Sequence, residues 1–82
     1  MPTIHLFKGI RIKMHLREKE HNPPHIHAEY GETAASFYID DGKIYEGKFP
    51  NKQQRIVARF INKHKDELLE MWETGIYHEI GD

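Results

Sequence analysis

The sequence predicts a small α+β domain, with an antiparallel sheet of about four strands followed by one long C-terminal amphipathic helix. Three observations carry this. Apolar and polar residues alternate over Ile10–Arg17 and again over His25–Tyr30. Turn formers (Gly31-Glu32 and Asp40-Asp41-Gly42) punctuate the middle of the chain. From Ile56 to Trp72 the apolar residues then recur at helical spacing.

The first strand region puts Ile10, Ile12, Met14 and Leu16 on one side and Arg11, Lys13, His15 and Arg17 on the other. That is the period of a half-buried strand. Ile4 and Leu6 form a shorter run before it, and Gly9 reads either as a bulge within one long strand or as a break between two. Residues 17–24 are polar and end in Pro23-Pro24, which reads as a loop with a stiff exit. Next, Ile26, Ala28 and Tyr30 alternate with His25, His27 and Glu29. A two-residue Gly31-Glu32 turn with glycine first, as type II′ requires, sets Ile26 opposite Phe37, Ala28 opposite Ala35, His25 opposite Tyr38 and His27 opposite Ser36. Both faces are then chemically consistent. Around Asp40-Asp41-Gly42 a three-residue loop with a left-handed Gly42 is preferred over a two-residue one. It places Phe37 opposite Tyr45 and Ser36 opposite Glu46.

Pro50 ends the sheet, and Asn51 with Gln54 three residues on matches a capping box. A helix over 52–74, stopped by Gly75, would be roughly 34 Å long. A six-residue strand spans only about 20 Å. The helix should therefore overhang the sheet or bend near residues 62–65. An overhang carrying Leu69, Met71 and Trp72 would be a docking or homodimer surface.

Composition narrows function. In 82 residues there is room for one domain, here 1–82, and one modest core. An apolar share of 38% beside 30% charged residues suits a folded rather than a disordered chain. A net charge of −1 gives no global attraction to nucleic acid or anionic lipid, and the absence of cysteine removes disulfides, thiolate catalysis and Cys-type zinc sites. No apolar run reaches the roughly 20 residues of a membrane helix, and the N-terminus lacks a signal pattern. These features fit a cytoplasmic protein. Seven histidines stand out, three of them in His21-Asn22-Pro23-Pro24-His25-Ile26-His27.

One helix covers one face of a sheet. The covered face should hold Ile10, Ile12, Met14, Ile26, Ala28, Phe37, Ile39, Tyr45 and Phe49. By parity the bare face displays Arg11, Lys13, His15, His25, His27, Glu29, Ser36, Tyr38, Glu46 and Lys48. Three functions fit such a platform. His25, His27, Glu29, Tyr38 and Arg11 supply the base, acid and cation of a metal-independent ribonuclease. Alternatively His25 and His27, with His21, His15 or Glu29 as third ligand, could hold a divalent metal such as zinc. Without chemistry, the face and the sheet edges would bind a small protein partner, with RNA as another ligand class. A solvated polar face is the bland alternative to all three. His5 and His78 read as surface or terminal residues, His64 as a helix-face residue packed at the sheet edge, and Trp72 as core or interface.

Met1-Pro2-Thr3-Ile4, Gly9-Ile10-Arg11-Ile12, His21 through Tyr30, Glu46-Gly47-Lys48-Phe49-Pro50 and Glu67-Leu68-Leu69-Glu70-Met71-Trp72 together resemble the domain-of-unknown-function family 4160. The resemblance spans nearly the whole chain. It implies a small bacterial cytosolic protein, often paired with a neighbouring gene in a toxin–antitoxin-like arrangement, whose partner is a second small protein. It implies no catalytic residues and no cofactor.

Overall fold

The computed structural model describes residues 3–14 and 23–81. Five antiparallel strands stand in sequence order: β1 (Thr3–Phe7), β2 (Ile10–Lys13), β3 (His25–Tyr30), β4 (Thr33–Tyr38) and β5 (Ile44–Gly47). Two helices follow, α1 (Asn51–Lys63) and α2 (Lys65–Thr74). The fold class is as expected, with one more strand and a divided helix.

The extra strand arises at Lys8-Gly9. Both residues have positive φ, 51° and 78°. That is the signature of a two-residue type I′ turn, so Gly9 separates β1 from β2. The β3–β4 hairpin has the predicted register throughout: His25 pairs with Tyr38, Ile26 with Phe37, His27 with Ser36 and Ala28 with Ala35. Gly31 has φ +60° and carries the turn.

The next hairpin departs from expectation by one residue. Gly42 is left-handed at φ +72° and Ser36 pairs with Glu46, as predicted, but Phe37 pairs with Ile44 rather than Tyr45. A bulge between the two pairs absorbs the extra residue. A bulge reverses side-chain parity beyond it, so Ile44 joins the core and Tyr45 does not. Tyr45 stacks instead on Tyr38, ring centroids 4.7 Å apart.

The helix begins one residue earlier than the capping box implied. Pro50 is the N-cap, its carbonyl accepts from the Gln54 N–H at 2.8 Å, and no side chain caps the end. Of the two alternatives for the long helix, bending wins over overhang. His64 leaves helical geometry at φ −112°, ψ 22°, yet His64 N–H still bonds to Phe60 O and Leu68 N–H to His64 O. A straight rod of that length would reach about 36 Å, longer than the molecule's greatest extent of 31 Å. Bending keeps α2 on the body of the protein. Of the predicted sticky end, Met71 and Trp72 are consequently buried and Leu69 is partly buried against the core, so no exposed overhang forms. Gly75, left-handed at φ +75°, stops the helix as expected.

The core joins the apolar face of the sheet (Ile10, Ile12, Ile26, Ala28, Phe37) to Val57, Phe60 and Ile61 of α1 and Leu68, Met71 and Trp72 of α2. Residues after the helix return to β1, where Ile80 N–H bonds to Ile4 O at 2.7 Å and His5 Nδ1–H donates to Ile80 O at 2.6 Å. A bulge between Thr3 and His5 directs both Ile4 and His5 inward. His5, read from sequence as a surface or terminal residue, is buried and stacks on Phe60 at 4.7 Å. No helix of the described residues is long and apolar enough to cross a membrane.

Candidate functional site

Three strands bring the polar side chains of the uncovered face together. Their ladder pairs Arg11 with Glu29, Lys13 with His27, and His27 with Ser36. Cross-strand partners have Cβ atoms roughly 5 Å apart, so these five residues form one patch. Glu29 is its anionic centre: Lys13 Nζ lies 3.3 Å and Arg11 Nη1 3.8 Å from Glu29 Oε1. Ser36 Oγ and His27 Nδ1 share a hydrogen bond of 3.0 Å. With the Glu29 and Arg11 side chains 41% and 52% exposed, the Arg11–Glu29 pair is open to solvent and can exchange for an incoming ligand.

A groove of about 200 Å³ adjoins the patch, lined by His27, Glu29, Ser36 and Glu46 and floored by Ala28, Ala34, Ala35 and Gly47. Gly47 is essential to its shape. A Cβ there would lie 2.5 Å from Ala34 O, and φ is +89°. Only glycine lets β5 approach β4 so closely. The sequence signalled neither the groove nor the part played by Ala34 and Gly47, because small residues have no chemical signature in one dimension.

His25 does not belong to the bare face. It has no solvent exposure, and this corrects the placement read from strand parity. Its Nδ1–H donates to Pro23 O at 2.8 Å, and its ring packs against Trp72 at 5.0 Å, Tyr45 at 5.3 Å and His27 at 5.1 Å. The physical reason is its position at the end of β3. There the bent helix turns Trp72 onto the sheet margin, and the displaced Tyr45 closes the other side. Tyr38 is half-buried under Tyr45. Of the predicted catalytic residues, His27, Glu29 and Arg11 thus meet at the open patch, whereas His25 and Tyr38 sit in an aromatic cluster beside it.

A family model described as domain of unknown function (DUF4160) matches residues 9–73. The chain belongs to the DUF4160 family. No curated protein and no solved structure matches it. In this DUF4160 protein the matched span runs from the β1–β2 turn to α2, so the ladder, the groove and the aromatic cluster all lie within it.

The DUF4160 patch can donate and accept hydrogen bonds and offers charges of both signs. It holds an imidazole, a hydroxyl, two carboxylates and two cations. Among the described residues, no group of three or more His, Asp or Glu side chains is placed to hold a metal ion. His21, a predicted third ligand, lies outside the described residues, as does His15. A second imidazole–carboxylate group occurs at the helix bend. Glu67 lies 3.4 Å from His64 Nδ1 and 3.7 Å from His78 Nε2. It ties the post-helical segment to α2.

Proposed function

We propose that this DUF4160 protein is a binding module, one half of a toxin–antitoxin-like pair, which takes up an extended segment of a small protein partner encoded nearby. The observation that carries this reading is the unequal treatment of the two sheet edges. The β1 edge is occupied by the chain's own Ile80, whereas β5 lies at the opposite edge beside the groove. An edge strand offers main-chain hydrogen bonds to an added strand, and neighbouring pockets supply specificity. Glu29 and Glu46 at the groove favour a segment bearing a lysine or arginine. The bulge and Gly47 draw β5 against β4 and leave room for side chains of that segment above Ala34 and Ala35.

The test is co-purification and calorimetry with the product of the adjacent gene. Glu46→Lys should weaken binding about tenfold. Glu79→Lys, exposed at the opposite, β1 edge of the sheet, should leave it unchanged. Equal affinity for both variants, or no binding by the wild type, rejects the reading.

A second reading, a metal-independent ribonuclease-type toxin, is favoured by the convergence of His27, Glu29, Arg11 and Lys13 on one patch. In that reaction His27 would take the 2′-hydroxyl proton as the oxygen attacks phosphorus, the P–O5′ bond would break with the leaving 5′-oxygen protonated from water, and Arg11 and Lys13 would steady the phosphate. Intact total RNA after incubation with micromolar protein, and normal bacterial growth on induction, would sink it.

A further inference from the structure

The solvent side of the bent helix carries a charge pattern that the sheet site does not use. Lys52, Arg55, Arg59 and Lys63 follow one another at spacings of three and four on α1, and all are exposed. Asp66, Glu70 and Glu73 continue the same line on α2, again exposed. Because the main-chain bonds His64 to Phe60 and Leu68 to His64 carry the helical phase across the bend, this is one continuous stripe. It is basic over its first half and acidic over its second.

Within a single chain the arrangement is unfavourable. Arg55 with Arg59, Arg59 with Lys63, and Asp66 with Glu70 are like-charge pairs at i,i+4, each costing about 0.2–0.5 kcal/mol. Among the described residues, neither Arg55, Arg59, Asp66 nor Glu70 makes an ion pair. The pattern is also antisymmetric. Arg59 and Asp66 are equidistant from a point between Asn62 and Lys63, and so are Arg55 and Glu70, and Lys52 and Glu73. When two such helices lie antiparallel about a two-fold axis through that point, Lys52, Arg55 and Arg59 on one meet anions on the other, and Lys63 falls beside the uncharged Asn62. Glu73 already has an interaction within its own chain, so the two inner rungs carry the argument.

We infer that this stripe is a self-recognition surface, on which a second copy of the chain docks antiparallel, Arg59 against the partner's Asp66 and Arg55 against its Glu70. An isologous contact of this kind is closed, so it yields dimers and not fibres. It buries no large apolar patch, and it is therefore weak and governed by salt. It lies on the helix and not on the sheet, so it stands or falls independently of partner binding at β5.

Light scattering on the full chain at high micromolar concentration decides the matter. The wild type should have the mass of two chains at about 20 mM salt and of one chain at about 500 mM, where the Debye length falls to a few ångströms. Arg59→Glu and Asp66→Lys should each be monomeric at low salt, with the dissociation constant raised at least about tenfold. The two together restore opposite charges across the axis and should restore the dimer. Far-UV circular dichroism confirms that each variant is folded, as expected for exposed positions. A single-chain mass at low salt, or a dimer indifferent to all three variants, overturns the proposal. So does a monomer whose basic half instead retains nucleic acid, detected by its absorbance ratio and lost in Arg55→Glu.

Discussion

At the scale of the residue, His25 shows how place outweighs type. Its side chain is chemically suited to a metal or to proton transfer, yet it is enclosed by Trp72, Tyr45 and His27 and tied to Pro23 O. In this setting its main contribution is to stability. His25→Ala would leave a cavity beneath Trp72 and the Pro23 carbonyl without its donor. A loss of about 2–4 kcal/mol is expected, measured by urea unfolding. A change below about 0.5 kcal/mol would mean that the ring is solvated and that the patch extends to it. His27, two residues on, lines the groove and is only partly buried, so its replacement should cost less.

At the scale of the element, the two edge strands are managed in opposite ways. The β1 edge is closed by the post-helical segment, through Ile80 N–H to Ile4 O and His5 Nδ1 to Ile80 O, with the Ile80 side chain 3% exposed. Ile80→Ala removes the buried anchor of this clip and should cost about 2–4 kcal/mol. It should also raise amide exchange selectively in β1. Uniform exchange across the five strands would show that the segment does not act as a clip. Among the described residues the β5 edge is protected by its shortness and its bulge, devices that blunt aggregation without forbidding a specific partner. Bending at His64 is the corresponding device in the helix: it exchanges an exposed apolar end for a buried one.

For the whole molecule, 82 residues support only a small core. A ligand that binds the folded state therefore has a large effect on stability. At a free concentration one hundred times its Kd the proposed partner would add about 2.7 kcal/mol, which for a domain of this size would raise Tm by about 10–20 °C. Differential scanning calorimetry with and without the neighbouring gene product measures this. An unmoved Tm at saturating partner would argue that the natural ligand is another class of molecule. The charges are likewise segregated across the molecule. Carboxylates border the β5 groove and cations occupy α1, so the two surfaces differ in charge despite a net charge of only −1.

The sequence by itself determined the fold class, the β3–β4 register, the left-handed Gly42 and Gly75, the helical phase of Ile56–Trp72 and the family. These are local properties. Alternation fixes which residues share a face, a turn fixes which residues pair, and a period of 3.6 fixes a helical stripe. Only the tertiary structure decided that His25 is buried, that Tyr45 leaves the core, that Trp72 is covered and that the β1 edge is closed. Each depends on contacts between segments far apart in the chain. Parity counts residues along a strand, but it is blind to a bulge in the neighbouring hairpin and to a helix that bends around the end of the sheet.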